Sequence, residues 1–540
     1  MPRKLLLTLL VAFLIPASPL PLHAQPSNDR VAGRIVSSLD QHPIPHATVT
    51  LLETRPGAKA LTTTSTDEGD FSFAAVPRGK YRLTGTAPGY ISLPYQSHDG
   101  FFTAIVTGAG LATNSLVLQI DPASTISGHI VDEAGDPVQR AQLTLYREIS
   151  GRITRTRNAA TDSNGEYDFD RLAPGTYFLT VTATPWYAVH PRTDQPQDVP
   201  QYRIAVDPAL DVAYPLTFYP RALDSDGASP IVLKGGNQVT ADMQLSPTPA
   251  VSLSLRTPPG SLNNQRIPTV THSVFGTDEP VQLQMVETVN GTMRIPGFAP
   301  GRYKVMEFTQ DGRFQSGSGT ADLTTGSIAL DIGGNVDVAD ATINLHAANG
   351  ESLPAHLQLS FHNPGSNAFA QALSSDKNIV EVHNVPLASY RISVSGGGHA
   401  WNVIALSANG KPATDKLLHI SAGGNVSVDL TISSSTSTIE GIARRNGKPA
   451  DGSMIVLVPA SGDTSEELFR RDQSNLDGGF TFRDVVPGNY LVVAIDDGWS
   501  LRWNDPTALA PYLMHAIPIS VPVTGSATIR LPEPLPTQPR

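Results

Sequence analysis

The chain has no cysteine. That excludes a disulfide framework, a thiolate metal site and a cysteine nucleophile. Charge is also scarce: Asp, Glu, Lys and Arg make up 16% of the residues. The balance is acidic, 38 Lys and Arg against 49 Asp and Glu, for a formal charge of −11 and a pI near 5.7. A basic nucleic-acid footprint is therefore excluded as a global feature. With 40% hydrophobic residues the chain is no disordered polyampholyte either. Beyond the N-terminus no run reaches the ~18 uninterrupted apolar residues of a spanning helix. Helical periodicity is nearly missing. What is abundant is turn chemistry, with 45 Gly and 45 Pro in 540 residues.

The first segment reads as an address. Arg3 and Lys4 precede an apolar run from Leu5 to Ile15, interrupted only by Thr8. Pro16 to Ala24 adds helix breakers and a small residue before Gln25. This order describes a signal peptide over 1–24, cut after Ala24. An uncleaved anchor is the alternative, although the run falls short of the ~20 residues needed to span a bilayer. The expected location is outside the cytoplasm, either secreted or in the periplasm or cell envelope. Without disulfides, each exported domain must be held by apolar burial alone.

Three marks recur along the rest of the chain. An alternating strand surrounds a glycine at Gly33, Gly128 and Gly441. A polar turn enters an aromatic strand at Asp67-Glu68-Gly69, Asn164-Gly165 and Asp477-Gly478, and more weakly at Asn290-Gly291. A Pro-Gly corner precedes a tyrosine strand at Tyr81, Tyr177, Tyr303 and Tyr490, with a degenerate copy at Tyr390. These tyrosines are spaced 96, 126, 87 and 100 residues apart, close to the ~100 residues of one β-sandwich. Asp/Asn-Gly supplies the positive φ of tight hairpins, and proline presets the corner. Tyr177, Leu179 and Val181 alternate with Thr180 and Thr182, as in a half-buried strand.

The expected architecture is all-β, a tandem array of about five Ig-like or transthyretin-like sandwiches. The units run 30–121, 122–246, 247–345, 346–432 and 433–535. The second carries a Pro- and aromatic-rich insertion at 185–220, and the fifth a short helix near 506–514 capped by Asp505 and limited by Pro511. Few residues separate one unit from the next, which predicts a semi-rigid string.

These marks resemble carboxypeptidase regulatory-like domains, whose fold is transthyretin-like, and the B-type repeats of bacterial surface adhesins. The match is good in units one, two and five. In units three and four it is confined to turns and closing strands. In metallocarboxypeptidases the domain accompanies a zinc peptidase with a His-x-x-Glu pair. None of the fourteen histidines here has Glu at the third following position, so the resemblance implies no peptidase activity. In adhesins a strand lysine bonds covalently to Asn. Arg34, His129 and Arg444 occupy the first strands here, and no such bond is implied.

Motifs for chemistry are sparse. His-Glu-x-x-His, Gly-x-Ser-x-Gly and a phosphate-binding Gly-x-x-x-x-Gly-Lys-Ser/Thr are all absent. Gly317-Ser318-Gly319 reads as a surface turn. His42 and His46 flank prolines that forbid a helical metal pair. Asp162, Asn164 and Glu166 offer oxygens, but too few for a calcium loop, so turn formation explains them better. Trp401 and Trp499 read as core. Trp186, Tyr187, Tyr202 and Tyr219, in the insertion, are the candidate ligand-binding residues. The chain is expected to be non-catalytic and free of metal and cofactor. Its expected role is a spacer or protein-interaction scaffold, alternatively a carbohydrate binder. Its expected partner is an envelope protein or a polysaccharide, neither nucleic acid nor the interior of a membrane.

Overall fold

The computed structural model describes residues 29–108, 110–149, 151–191, 207–256, 268–283, 286–289, 292–308, 315–331, 338–348, 350, 352–363, 369–374, 378–413, 415–421, 423–460, 468–523 and 525–540. The signal-peptide expectation lies outside them. Almost every element is a β-strand. One topology is repeated five times. Each first strand pairs antiparallel with the strand after the polar turn and parallel with the strand that closes the module. In the first module Asp29–Ser37 holds Asp70–Val76 and Leu116–Ile120 in this way. In the second, Ser124–Val131 holds Glu166–Leu172, then Gln238–Thr240 and Met243–Gln244. The third uses Val251–Arg256 with Thr292–Phe298 and Ile328–Asp331. The fourth uses Val338–Ala347 with Ile379–Pro386 and Gly424–Ser433. The fifth uses Ser437–Arg445 with Gly479–Val485, then Thr528–Arg530 and Leu535–Pro539. In the first three modules the tyrosine strand builds a second, separate sheet, whereas in the fourth and fifth it is joined to the first strand's sheet through His399–Ala408 and Leu535–Pro539.

The recurring sequence marks have separate physical causes. A Cβ on Gly33 would sit 2.0 Å from the Leu116 carbonyl oxygen, and one on Gly128 would sit 2.6 Å from that of Ala241. Only glycine lets the first strand lie this close to the closing segment. At the polar turn Gly165 takes φ +74°. The Asp162 carboxylate accepts the N–H groups of Asn164 and Glu166 at 2.8 and 2.9 Å. That carboxylate is consumed by its own turn. At the corner, Tyr81, Tyr177, Tyr303 and Tyr490 each donate their hydroxyl to the carbonyl four residues back, at 2.7 to 3.0 Å. The tyrosine rings are buried, so the hydroxyl both satisfies itself and staples the corner.

The alternating strands fill separate cores. Tyr167, Phe169, Leu179 and Val181 belong to the second, Ile343, Phe361 and Leu430 to the fourth. Full burial of such a side chain is worth roughly 1.5–3 kcal/mol. That burial does the work of the missing disulfides.

Three expectations are corrected. Val338–Ala347 begins the fourth module rather than closing the third, because Ala339, Ala341, Ile343 and Leu345 bury into the fourth core. Gly317-Ser318-Gly319 is no turn: these residues lie within strand Gln315–Asp322, opposite Glu307, Met306 and Val305. The array is also not an open string. The first module docks on the fifth, where Leu476 packs against the first core. The helix is one α-turn, Pro506–Leu509, capped by Asp505 and continued as a 3-10 segment, Ala510–His515, in which Pro511 lacks the N–H an α-helix needs.

Gly128→Ala is expected to destabilise the second module by ~1–3 kcal/mol through overpacking. Tyr177→Phe is expected to cost about 1 kcal/mol through the lost hydroxyl bond. Hydrogen-exchange protection of Ser124–Val131 reads both, since the array has no single unfolding transition.

Candidate functional site

Two clusters of polar and aromatic groups stand out, one foreseen and one not. The first lies on the insertion of the second module. Asp132 starts a tight turn in which its carboxylate accepts the N–H groups of Ala134 and Asp136 at 2.9 and 2.8 Å. The turn fixes Glu133. One carboxylate oxygen of Glu133 accepts the Tyr187 hydroxyl, and the other accepts the Tyr214 hydroxyl at 3.0 Å. Desolvation, reinforced by this anionic acceptor, pushes the Tyr187 phenol up to about 12 and raises that of Tyr214 as well. Both therefore stay neutral donors. Tyr187 in turn meets Trp186 edge-on at 5.7 Å between ring centroids. Trp186 is 87% exposed, and Val189, whose N–H donates to the Leu210 carbonyl at 2.9 Å, also exposes its apolar side chain, as does Leu210.

The four candidate residues thus separate. Trp186 and Tyr187 form one platform on the Glu133 turn. Tyr219 instead packs against the core of the second module. Tyr202 lies outside the described residues. Trp401 is buried in the fourth core, as expected. Trp499 packs against one face of the fifth module but also takes part in the second cluster.

That second cluster joins the ends of the array. Residues 98–101 form a tight turn closed by two backbone bonds of 2.9 Å, with φ +47° at Asp99 and +89° at Gly100. The turn lies against strand Arg470–Gln473, the edge of a sheet in the fifth module. His98 stacks on Trp499 at 4.7 Å with the rings 6° from parallel. The Arg471 guanidinium sits 4.8 Å from the Phe101 ring, 5.3 Å from Trp499 and 5.0 Å from Trp503. Its side chain is 7% exposed, Asp99 is 3.7 Å away, and its Nε and Nη1 lack hydrogen-bond partners. Burial pulls its pKa down from the usual arginine range, against the pull of Asp99. The buried amide of Gln473 donates to the Gln96 carbonyl and, at 2.9 Å, to Thr103 Oγ1. The Leu476 N–H donates to the Ala104 carbonyl at 3.0 Å. The signal for this site was the Asp99-Gly100 pair followed by Phe101-Phe102, outside the repeated marks.

A related contact joins the second and third modules. The Phe275-Gly276 turn, with φ +48° and +78°, places Phe275 among Tyr146, Phe178 and Phe218 at 5.1 to 5.4 Å. Arg155 pairs with Glu279 beside it at 3.0 Å.

Among the described residues no group of three or more His, Asp or Glu is placed to hold a metal, and no helix is long and apolar enough to cross a membrane. The sandwiches, their repeated corner and their glycine-dependent strand pairing now stand beside a sequence match. Residues 30–99 and 125–207 match the carboxypeptidase regulatory-like domain. The turn at 98–101 begins in the first of these stretches, and Glu133, Trp186 and Tyr187 lie in the second. No curated protein matches the chain. Among solved structures the chain is similar to the Bacillus anthracis TIE protein, at 9% identity over 93% of this chain and 74% of that one, with a TM-score of 0.18. It is also similar to GBS52, the minor pilin of Streptococcus agalactiae, at 12% identity over 41% and 96% and a TM-score of 0.20. A third is the shaft pilin spaA of Lactobacillus rhamnosus GG, at 12% over 41% and 98% and a TM-score of 0.19. Likenesses this low speak to neither activity nor partner.

Closure of the ends should depend on pH. Burial lowers the His98 pKa from 6.5, outweighing the Gln473 bond and the carboxylates of Asp99 and Asp497. The neutral ring is then the form that closes. Closure is fully supported above the ordinary histidine value and weakens as pH falls through it, levelling off below the lowered one. Small-angle scattering from pH 8 to 5 should show a growing radius of gyration at the acid end, and His98→Phe should flatten that dependence.

Proposed function

We propose that the chain is an exported, non-catalytic scaffold that presents binding surfaces from a framework of β-sandwich modules. The observation that carries this reading is the clasp between the first and fifth modules. It commits the best-built polar and aromatic cluster of the molecule to holding modules together, where an enzyme would hold an open reaction site. The sequence supports export through its first 24 residues. N-terminal sequencing of the protein recovered outside the cytoplasm should begin at Gln25. Recovery only from the cytoplasm with Met1 or Pro2 at the start would remove export from this reading.

A second reading rests on Trp186. A tryptophan 87% exposed, braced by Tyr187 and through it by Glu133, is a flat apolar surface suited to the face of a pyranose ring. On this reading Trp186 and Tyr187 form the sugar platform, and Tyr219, packed against the core of the second module, stands apart from it. Retention on insoluble polysaccharides should fall about tenfold in Trp186→Ala, equivalent to ~1.4 kcal/mol. Equal retention of variant and wild type removes the platform.

A further inference from the structure

We propose that the clasp is exchangeable between copies, so that the first module of one chain seats on the fifth module of another. The partner is a second copy of this chain, and the proposal stands whether or not the chain is exported.

The composition of the contact is the first argument. Arginine, tryptophan and phenylalanine at its centre, ringed by Gln96, Gln473 and Asp99, match the anchors of interfaces between separate proteins better than the aliphatic interior of a domain. The five module cores are rich in Val, Leu, Ile and Ala by contrast.

The second argument is that the turn and its receiving surface are each shaped within their own module. The turn at 98–101 is closed by its own backbone bonds. The receiving surface is fixed within the fifth module. There Trp499 Nε1 donates to the Gly452 carbonyl at 3.2 Å, and Arg471 lies on a strand paired with Met454–Pro459. Docking joins two preformed surfaces, and the same contacts arise whichever chain supplies the turn.

The third argument is reversibility. No covalent link crosses the contact, and Thr103 and Gln473 are 370 residues apart in sequence. Closing strips water from Arg471 and leaves two of its nitrogens without hydrogen bonds, a cost recovered on opening. A second copy can therefore compete with the chain's own end as concentration rises. The turn and its receiving surface are different patches, so pairing between copies is head to tail. Two chains that exchange both ends close as a dimer.

Complementary full-length variants test this. A turn-defective chain carries His98→Ala and Phe101→Asp. A receiver-defective chain carries Trp499→Ala or, should that loosen the fifth module, Gln473→Ala. Each keeps one intact half, so a mixture can rebuild one clasp between copies. Sedimentation velocity with one variant fluorescently labelled should show each alone as a monomer and the mixture as a one-to-one complex. The wild type should dimerise only as its concentration is raised. A mixture that stays monomeric over the range in which the wild type is soluble overturns the proposal. Association of either variant alone overturns it too, since the clasp would not be what joins the copies.

Discussion

Each module depends on the parallel pairing of its first strand with its last. That ladder closes the module's own beginning onto its own end, and the next first strand starts at once, as where Leu116–Ile120 gives way to Ser124–Val131. Glycine at positions 33 and 128 is what permits the approach, since any side chain would strike backbone there. With both ends stitched into one sheet, the facing sheet can bury its tyrosine strand, and the core needs no covalent support.

Between modules a different device operates. Two short turns with positive φ at their tips, Asp99-Gly100 and Phe275-Gly276, each deliver aromatic groups into a neighbour. For Phe275 the acceptor is the ring cluster of Tyr146, Phe178 and Phe218 in the second module, and for the turn at 98–101 it is an arginine framed by tryptophans. A tip of this kind places a rigid ring at little conformational cost. The turn at 98–101 meets strand Arg470–Gln473 through the side chains of Arg471 and Gln473.

The fold was largely legible in the sequence because its determinants are local. Gly165 after Asn164, Tyr177 after Pro174-Gly175 and the alternation from Tyr177 to Thr182 each act within a few residues. The long-range pairings were harder. Val336 to Leu345 reads equally as a strand that closes or one that opens, and only its parallel partner Gly424–Ser433 decides. Of the candidate site, Trp186 was legible as an aromatic among prolines, while Glu133 was hidden in a turn that resembled every other turn. The clasp was invisible because nothing local to Arg471 points to its partners. Its three rings come from two modules and from opposite ends of the chain.

The parallel ladder also governs how the array meets tension. The chain enters each module at the foot of the first strand and leaves at the head of the closing strand, and these run side by side in the same direction. A pull on the two ends therefore shears the whole ladder at once instead of unzipping it one bond at a time. In the fourth module that ladder extends over nine consecutive residue pairs, from Ala339 opposite Gly424 to Ala347 opposite Ile432. The clasp at 98–101, held by a turn tip rather than a ladder, is the contact built to yield before any of them.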